Sequence, residues 1–161
     1  RQRMMVVVQK ATELGVSRIV PVLSERSVQP DGLDHQKAHA WPNQALRAAR
    51  QCRRASLPEL VQAIALTEAL KAPYFTGAQL RVYLDDRVAC DSPLTEAAGG
   101  PDQAGRSIAF AVGPEGGWTD SERASLQDHG ALALRLGGRV LRAETAVFAG
   151  LTLLQHAFGD M

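Results

Sequence analysis

Two short segments carry most of the chemistry that this sequence can offer. The first, at 112–118, reads VGPEGGW, with Gly113, Gly116 and Gly117 inside five residues and Pro114 stiffening the run. It follows an apolar stretch and precedes a helix start, so the expectation is a strand-to-helix loop where backbone approaches a flat ligand closely. An ordinary turn is the plain alternative, but a plain turn seldom needs so much glycine. The second, at 136–146, reads LGGRVLRAETA and has the same character. Its glycines permit close approach, and Arg142 offers a guanidinium suited to an anion or enolate. Glu144 and Thr145 fall in the first turn of a helix, where the dipole favours a carboxylate. Taken alone, capping by Glu144 and Thr145 explains those two residues equally well. Both loops are expected to open at the same sheet edge.

Other constellations offer less. His35 and His39, in HQKAH, have the spacing of a zinc-binding helix but lack its carboxylate, so they read as solvated and no metal is expected. There is no GxGxxG, no GxSxG elbow, and no lysine-bearing phosphate loop, because Gly113 is followed by PEGGWT. Cys52 and Cys90 form no CxxC and make a weak disulfide framework.

The elements that must position these loops follow from periodicity. Residues 2–14 place Met5, Val8 and Thr12 at helical spacing and stop at Gly15. RIVPVL at 18–23 reads as a strand near an edge, since Pro21 suits a central ladder poorly. Apolar spacing predicts a helix over 35–54, in two pieces because of Pro42. LRVYL at 80–84, SIAFAVG at 107–113 and 132–136 read as buried strands. A helix capped by Thr119 or Asp120 runs to 128 and ends at Gly130, and a last helix covers about 144–158. Residues 91–105 are the most loop-like segment. The alternation gives an α/β class with a largely parallel sheet flanked by helices.

Composition is compatible with one soluble domain: 161 residues, 45% hydrophobic and 22% charged. The longest apolar stretches, such as MMVVV at 4–8, fall far short of the roughly 20 residues of a membrane span, and cytoplasmic residence is expected. Net charge is only +1, yet 15 of the 18 basic residues are arginine, the side chain whose planar fork suits phosphate. The chain opens at Arg1 in what reads as the middle of a helix, so a preceding N-terminal portion is expected.

Together, GPEGG and LGxRxLRxETA resemble the bacterial 16S rRNA uridine-N3 methyltransferases of the SPOUT class, the ribosomal RNA small subunit methyltransferase E family. VVQKATELGVSRIVPVLSERS at 7–27 also resembles the opening of that family's catalytic domain, and Trp41, Gln51, Arg54 and Pro58 fall where its pattern places them. The resemblance covers nearly the whole chain except about 66–105. It implies a C-terminal trefoil knot, a homodimer, S-adenosylmethionine as cofactor and 16S rRNA of the small ribosomal subunit as partner. It further implies that residues 1–161 form the catalytic domain, without the family's N-terminal PUA-like RNA-binding barrel.

On that footing the cofactor is expected against Leu84, against Gly113, Glu115 and Gly116 in the first loop, and against Leu136, Gly137, Val140, Leu141, Arg142 and Thr145 in the second. Arg142 is the candidate stabiliser of a uracil anion and Glu144 the candidate base, because uridine N3 must lose its imide proton before it can accept a methyl group. For RNA, the expectation is Arg26 together with Arg47, Arg50, Arg53 and Arg54. Where the family usually reads EAAEQ and then Gly-Arg, this chain reads RAARQCRR at 47–54, exchanging two acids for arginine. Arg47, Arg50 and Arg54 recur at three and four, a basic stripe with no acid between Asp34 and Glu59. A solvated helix face is the plain alternative. Ribose 2′-O-methylation by another SPOUT enzyme and a non-catalytic RNA-binding domain are the rival functions.

Overall fold

The computed structural model describes residues 2–27, 40–89 and 105–161. Helix α1 (Gln2–Glu13) buries Val8, Ala11 and Thr12 on one face. Gly15 ends it at φ +81°, a left-handed conformation that costs glycine least. α1 packs on α2 (Ala40–Gln51), whose Ala45, Ala48 and Ala49 are buried. Pro42 is no obstacle, because in a first turn its missing N–H has no intrahelical partner to lose. The first part of the expected 35–54 helix, with His35 and His39, lies outside the described residues, as does Cys90.

The expected strand at 18–23 is interrupted at Pro21 into β1 (Arg18–Ile19) and β2 (Val22–Leu23). These pair in parallel with β3 (Glu59–Leu60) and β4 (Ile64–Ala65), respectively. Helices α3 (Leu66–Lys71) and α4 (Pro73–Thr76) follow. None of β3, β4, α3 or α4 is apparent from periodicity, because each is too short to repeat a 2.0 or 3.6 period convincingly.

The second sheet positions the chemistry. It consists of β5 (Leu80–Leu84), β6 (Ile108–Ala111) and β7 (Leu132–Leu134) in the order β6-β5-β7, all parallel. Central β5 is covered on both faces. Leu80 and Val82 pack with Leu154 and Phe158 of α6 (Ala143–Phe158), while Tyr83 packs with Trp118, Leu126, Leu70 and Phe75. Each fully buried apolar side chain of this kind stabilises the fold by about 1.5–3 kcal/mol, which is why every residue of β5 except Arg81 is apolar or aromatic. Helix α5 (Asp120–Asp128) links β6 to β7 and opens with a complete capping box. Thr119 Oγ1 accepts from the Glu122 amide, and Glu122 accepts from the Thr119 amide. Among the described residues no helix is long and apolar enough to cross a membrane, and no group of three His, Cys, Asp or Glu side chains could hold a metal.

Candidate active site

Parallel pairing puts the C-terminal ends of β5, β6 and β7 side by side, so the turns that leave them must meet. They enclose a cleft of about 200 Å³ whose walls are the turn at 84–87, the loop at 112–118 and the segment 134–141, closed by Arg123, Ala143 and Ala146. The two glycine-rich segments therefore come together, as their spacing after strands suggested. Leu84, Gly113, Glu115, Gly116, Leu136, Val140 and Leu141 all line the cleft. Gly137, Arg142 and Thr145 are not in its lining. Gly137 makes the turn below it at φ +68°, with its carbonyl accepting from Arg135 Nε at 3.0 Å.

The loop at 112–118 is held from several sides. Trp118 is buried, and its indole Nε1 donates to the Leu84 carbonyl at 3.0 Å. A Cβ on Gly113 would lie 3.0 Å from that ring, so a side chain there would press against the buried indole. Gly117, at φ +68°, donates its amide to Pro114 at 2.8 Å. Arg3 pairs with Glu115 and reaches to 4.0 Å from Glu144 Oε1. Arg26 Nη1 donates to the Gly116 carbonyl at 2.8 Å.

At the cleft floor, Arg123 Nε bonds Asp85 Oδ2 at 2.6 Å, with side-chain exposures of only 12% and 2%. Burial disfavours the Arg123 charge, but Asp85 outweighs it and the guanidinium pKa is raised. Asp120 Oδ1 accepts from both Arg123 and Arg87 at 3.0 Å, and Asp85 Oδ1 accepts from the Arg87 amide at 3.1 Å. The same strand carries Tyr83, whose phenol pKa burial pushes up against a hydrogen bond from Gln127. Sequence reasoning missed Asp85, Arg87, Arg123, Arg135 and Arg139 as cleft residues. The signal was only partial: LRVYL is legible as a strand, but its central place in the sheet, which puts the turn leaving it beside its neighbours' turns, is set by a strand order the sequence does not show.

Arg142 sits as the exposed N-cap residue of α6, with its carbonyl accepting from the Ala146 amide at 2.8 Å. Glu144 lies one turn in and is mostly buried. Its Oε2 is buried with no hydrogen-bond partner; Glu144, like Arg142, is not in the cleft lining, although Ala143 and Ala146 on either side of it are.

The arginine stripe divides. Arg47 and Arg50 are exposed on α2, and Arg53 is exposed just beyond it. Arg54 turns inward, and its Nη1 donates to the carbonyls of Thr12 and Val16 at 3.0 and 2.8 Å, tying off the end of α1. Arg53 is the one described non-glycine residue at positive φ, +60°, in the αL position that follows the helix.

A family model described as RNA methyltransferase domain matches residues 1–155. The chain belongs to the RNA methyltransferase domain family. The resemblance read from GPEGG and LRAETA is thereby borne out, and relatives named ribosomal RNA small subunit methyltransferase E agree with it. That of Buchnera aphidicola subsp. Schizaphis graminum is 30% identical over 157 residues, covering 96% of this chain and 60% of the relative. That of Mycobacterium bovis is 34% identical over 155 residues, covering 93% and 57%. The solved structure of the Neisseria gonorrhoeae protein of that name, bound to S-adenosyl methionine, superposes with a TM-score of 0.81 at 32% identity, covering 98% of this chain and 62% of that one. The chain thus spans about 60% of the length of the relatives it matches.

Proposed function

We propose that the chain is the catalytic domain of an S-adenosylmethionine-dependent methyltransferase acting on N3 of a uridine in 16S rRNA of the small ribosomal subunit. The observation that carries this reading is the convergence of three strand-end turns, two of them glycine-rich, on one cleft, with the buried, unpartnered Glu144 Oε2 on the helix that supplies Ala143 and Ala146 to its lining. The residues fit a zwitterionic nucleoside. Leu84, Leu136, Val140 and Leu141 offer apolar surface for a purine, backbone amides and carbonyls offer its polar partners, and Asp86, Arg135 and Arg139 supply charges of both signs.

When bound, S-adenosylmethionine supplies an electrophilic methyl on a sulfonium. The protein's part is to ready the acceptor. Uridine N3 holds an imide proton, and Glu144 is the group that takes it. The charge left behind spreads over O2 and O4, where the Arg142 guanidinium stabilises it. The loops hold the reactants in line and exclude water, a contribution that effective concentration makes large. The C-terminal trefoil knot and the homodimer implied by the resemblance belong to the same proposal.

Nucleoside mass spectrometry of small-subunit rRNA incubated with the protein and S-adenosylmethionine tests the reading. 3-Methyluridine is the expected product. 2′-O-methylation, or no methylation despite RNA binding, would replace it with one of the rival functions. Gly116→Val should weaken S-adenosylmethionine binding at least tenfold, about 1.4 kcal/mol, in a folded protein. A Cβ there already lies 3.3 Å from the Arg26 stem, and the valine methyls add bulk on the cleft wall. Unchanged titration calorimetry would remove the cofactor from this loop.

For RNA the proposal rests on Arg47, Arg50 and Arg53. Three phosphate contacts give a slope of about −2 in log affinity against log salt, and Arg50→Ala should flatten it by about 0.7. An unchanged slope would leave the stripe a solvated helix face.

A further inference from the structure

Arg26, expected from the sequence to meet RNA, falls in SERS at 24–27. The turn is firmly built. The Ser24 amide donates to Ser27 Oγ at 3.0 Å, the two hydroxyls bond at 2.7 Å, and the Ser27 amide returns to the Ser24 carbonyl at 3.0 Å. The Glu25 amide donates to Glu122 Oε1 at 2.8 Å, while the other oxygen of that carboxylate closes the capping box of α5. One glutamate therefore fixes both the helix that leaves the cofactor loop and the turn that presents Arg26.

From that turn the Arg26 Nη1 reaches the Gly116 carbonyl at 2.8 Å, and its stem lies over the Gly116 Cα, where an added Cβ would be 3.3 Å from Cβ and Cδ of the arginine. The rest of the loop is held through Trp118, Glu115 and the Gly117 turn, and the side-chain contact made to Gly116 itself is the one from Arg26. Gly116 and Gly117 have no side chains to pack, and Gly117 is held by its own turn bond to Pro114. A glycine pair without packing samples many conformations, and ligand binding must then order them.

We propose that Arg26 is a positioning residue of the cofactor loop: a guanidinium carried on a rigid turn that holds the Gly116 carbonyl and so keeps the wall of the cleft in its binding geometry. This rests on the reading that the cleft takes S-adenosylmethionine. Because one N–H donor makes the contact, a lysine that reaches the same carbonyl replaces it in part.

The test compares wild type, Arg26→Ala and Arg26→Lys by titration calorimetry with S-adenosylmethionine and by amide exchange of the ligand-free protein. Arg26→Ala should raise the Kd about tenfold, the order expected for one hydrogen bond from a charged donor, and Arg26→Lys should return it to within about threefold of wild type. The Gly117 amide should exchange faster in the alanine variant, with the amides of α1 and of the α5 cap unchanged. A folded Arg26→Ala with wild-type Kd and wild-type Gly117 exchange, losing affinity only for a short single-stranded RNA, overturns the inference and leaves Arg26 an RNA contact. If wild type itself takes no S-adenosylmethionine, the reading of the cleft fails instead, and the exchange comparison still decides what Arg26 does to the loop.

Discussion

Glu144→Gln should slow methyl transfer to uridine N3 by about 10²–10⁴-fold, the usual worth of a positioned general base, and leave S-adenosylmethionine affinity within about threefold. The substitution keeps the shape of the side chain and one carbonyl acceptor but removes the ability to take a proton. Its effect should be large because Oε2 is buried and makes no hydrogen bond, the other oxygen of the carboxylate being the one that Arg3 approaches at 4.0 Å. Arg142→Ala should cost about 10²–10³-fold through the complementary loss, since the anion at O2 and O4 would then have no guanidinium beside it. Arg142 lies outside the cleft lining, which is why cofactor affinity should be little affected. Single-turnover methyl transfer from bound cofactor separates the step from binding. A glutamine variant within about tenfold of wild type would remove Glu144 as the base and make its buried carboxylate a structural feature of α6.

Asp85→Ala should lower the unfolding free energy by about 3 kcal/mol, the lower end of what breaking a buried ion pair costs. The pair is short, at 2.6 Å, and both side chains are withdrawn from water. Truncating Asp85 leaves the Arg123 charge in a poorly hydrated site, where the largest force on it is the burial that opposes its ionisation. Asp120 still accepts from Arg123 at 3.0 Å, but its side chain is 90% exposed, so it compensates only in part. The Arg87 amide also loses its partner, and the 85–87 turn that lines the cleft loses its anchor. Urea unfolding measures the effect. A loss below about 1 kcal/mol would mean that water reaches Arg123 readily and that the pair contributes no more than a surface one.

Much of this protein is written locally. The capping of α5 by Thr119 and Glu122, the glycine stops after α1 and α5, the apolar run of β5 and the two glycine-rich loops all depend on residues within a few positions of one another, and each was legible in the sequence. The strand order β6-β5-β7 was not, and it decides which turns share a cleft, bringing Asp85, Arg87 and Arg123 to a site that the sequence placed at Leu84 and in the two glycine-rich segments. The arginines show the same division. Their stripe was readable as spacing, but spacing cannot distinguish Arg50, which faces solvent, from Arg54, which binds two carbonyls about 40 residues away, or from Arg26, which holds a carbonyl 90 residues away. Helical period and capping are set by bonds between near neighbours. The use of a long charged side chain is set by whichever unsatisfied acceptor the fold brings within its reach, and that depends on contacts far apart in the chain.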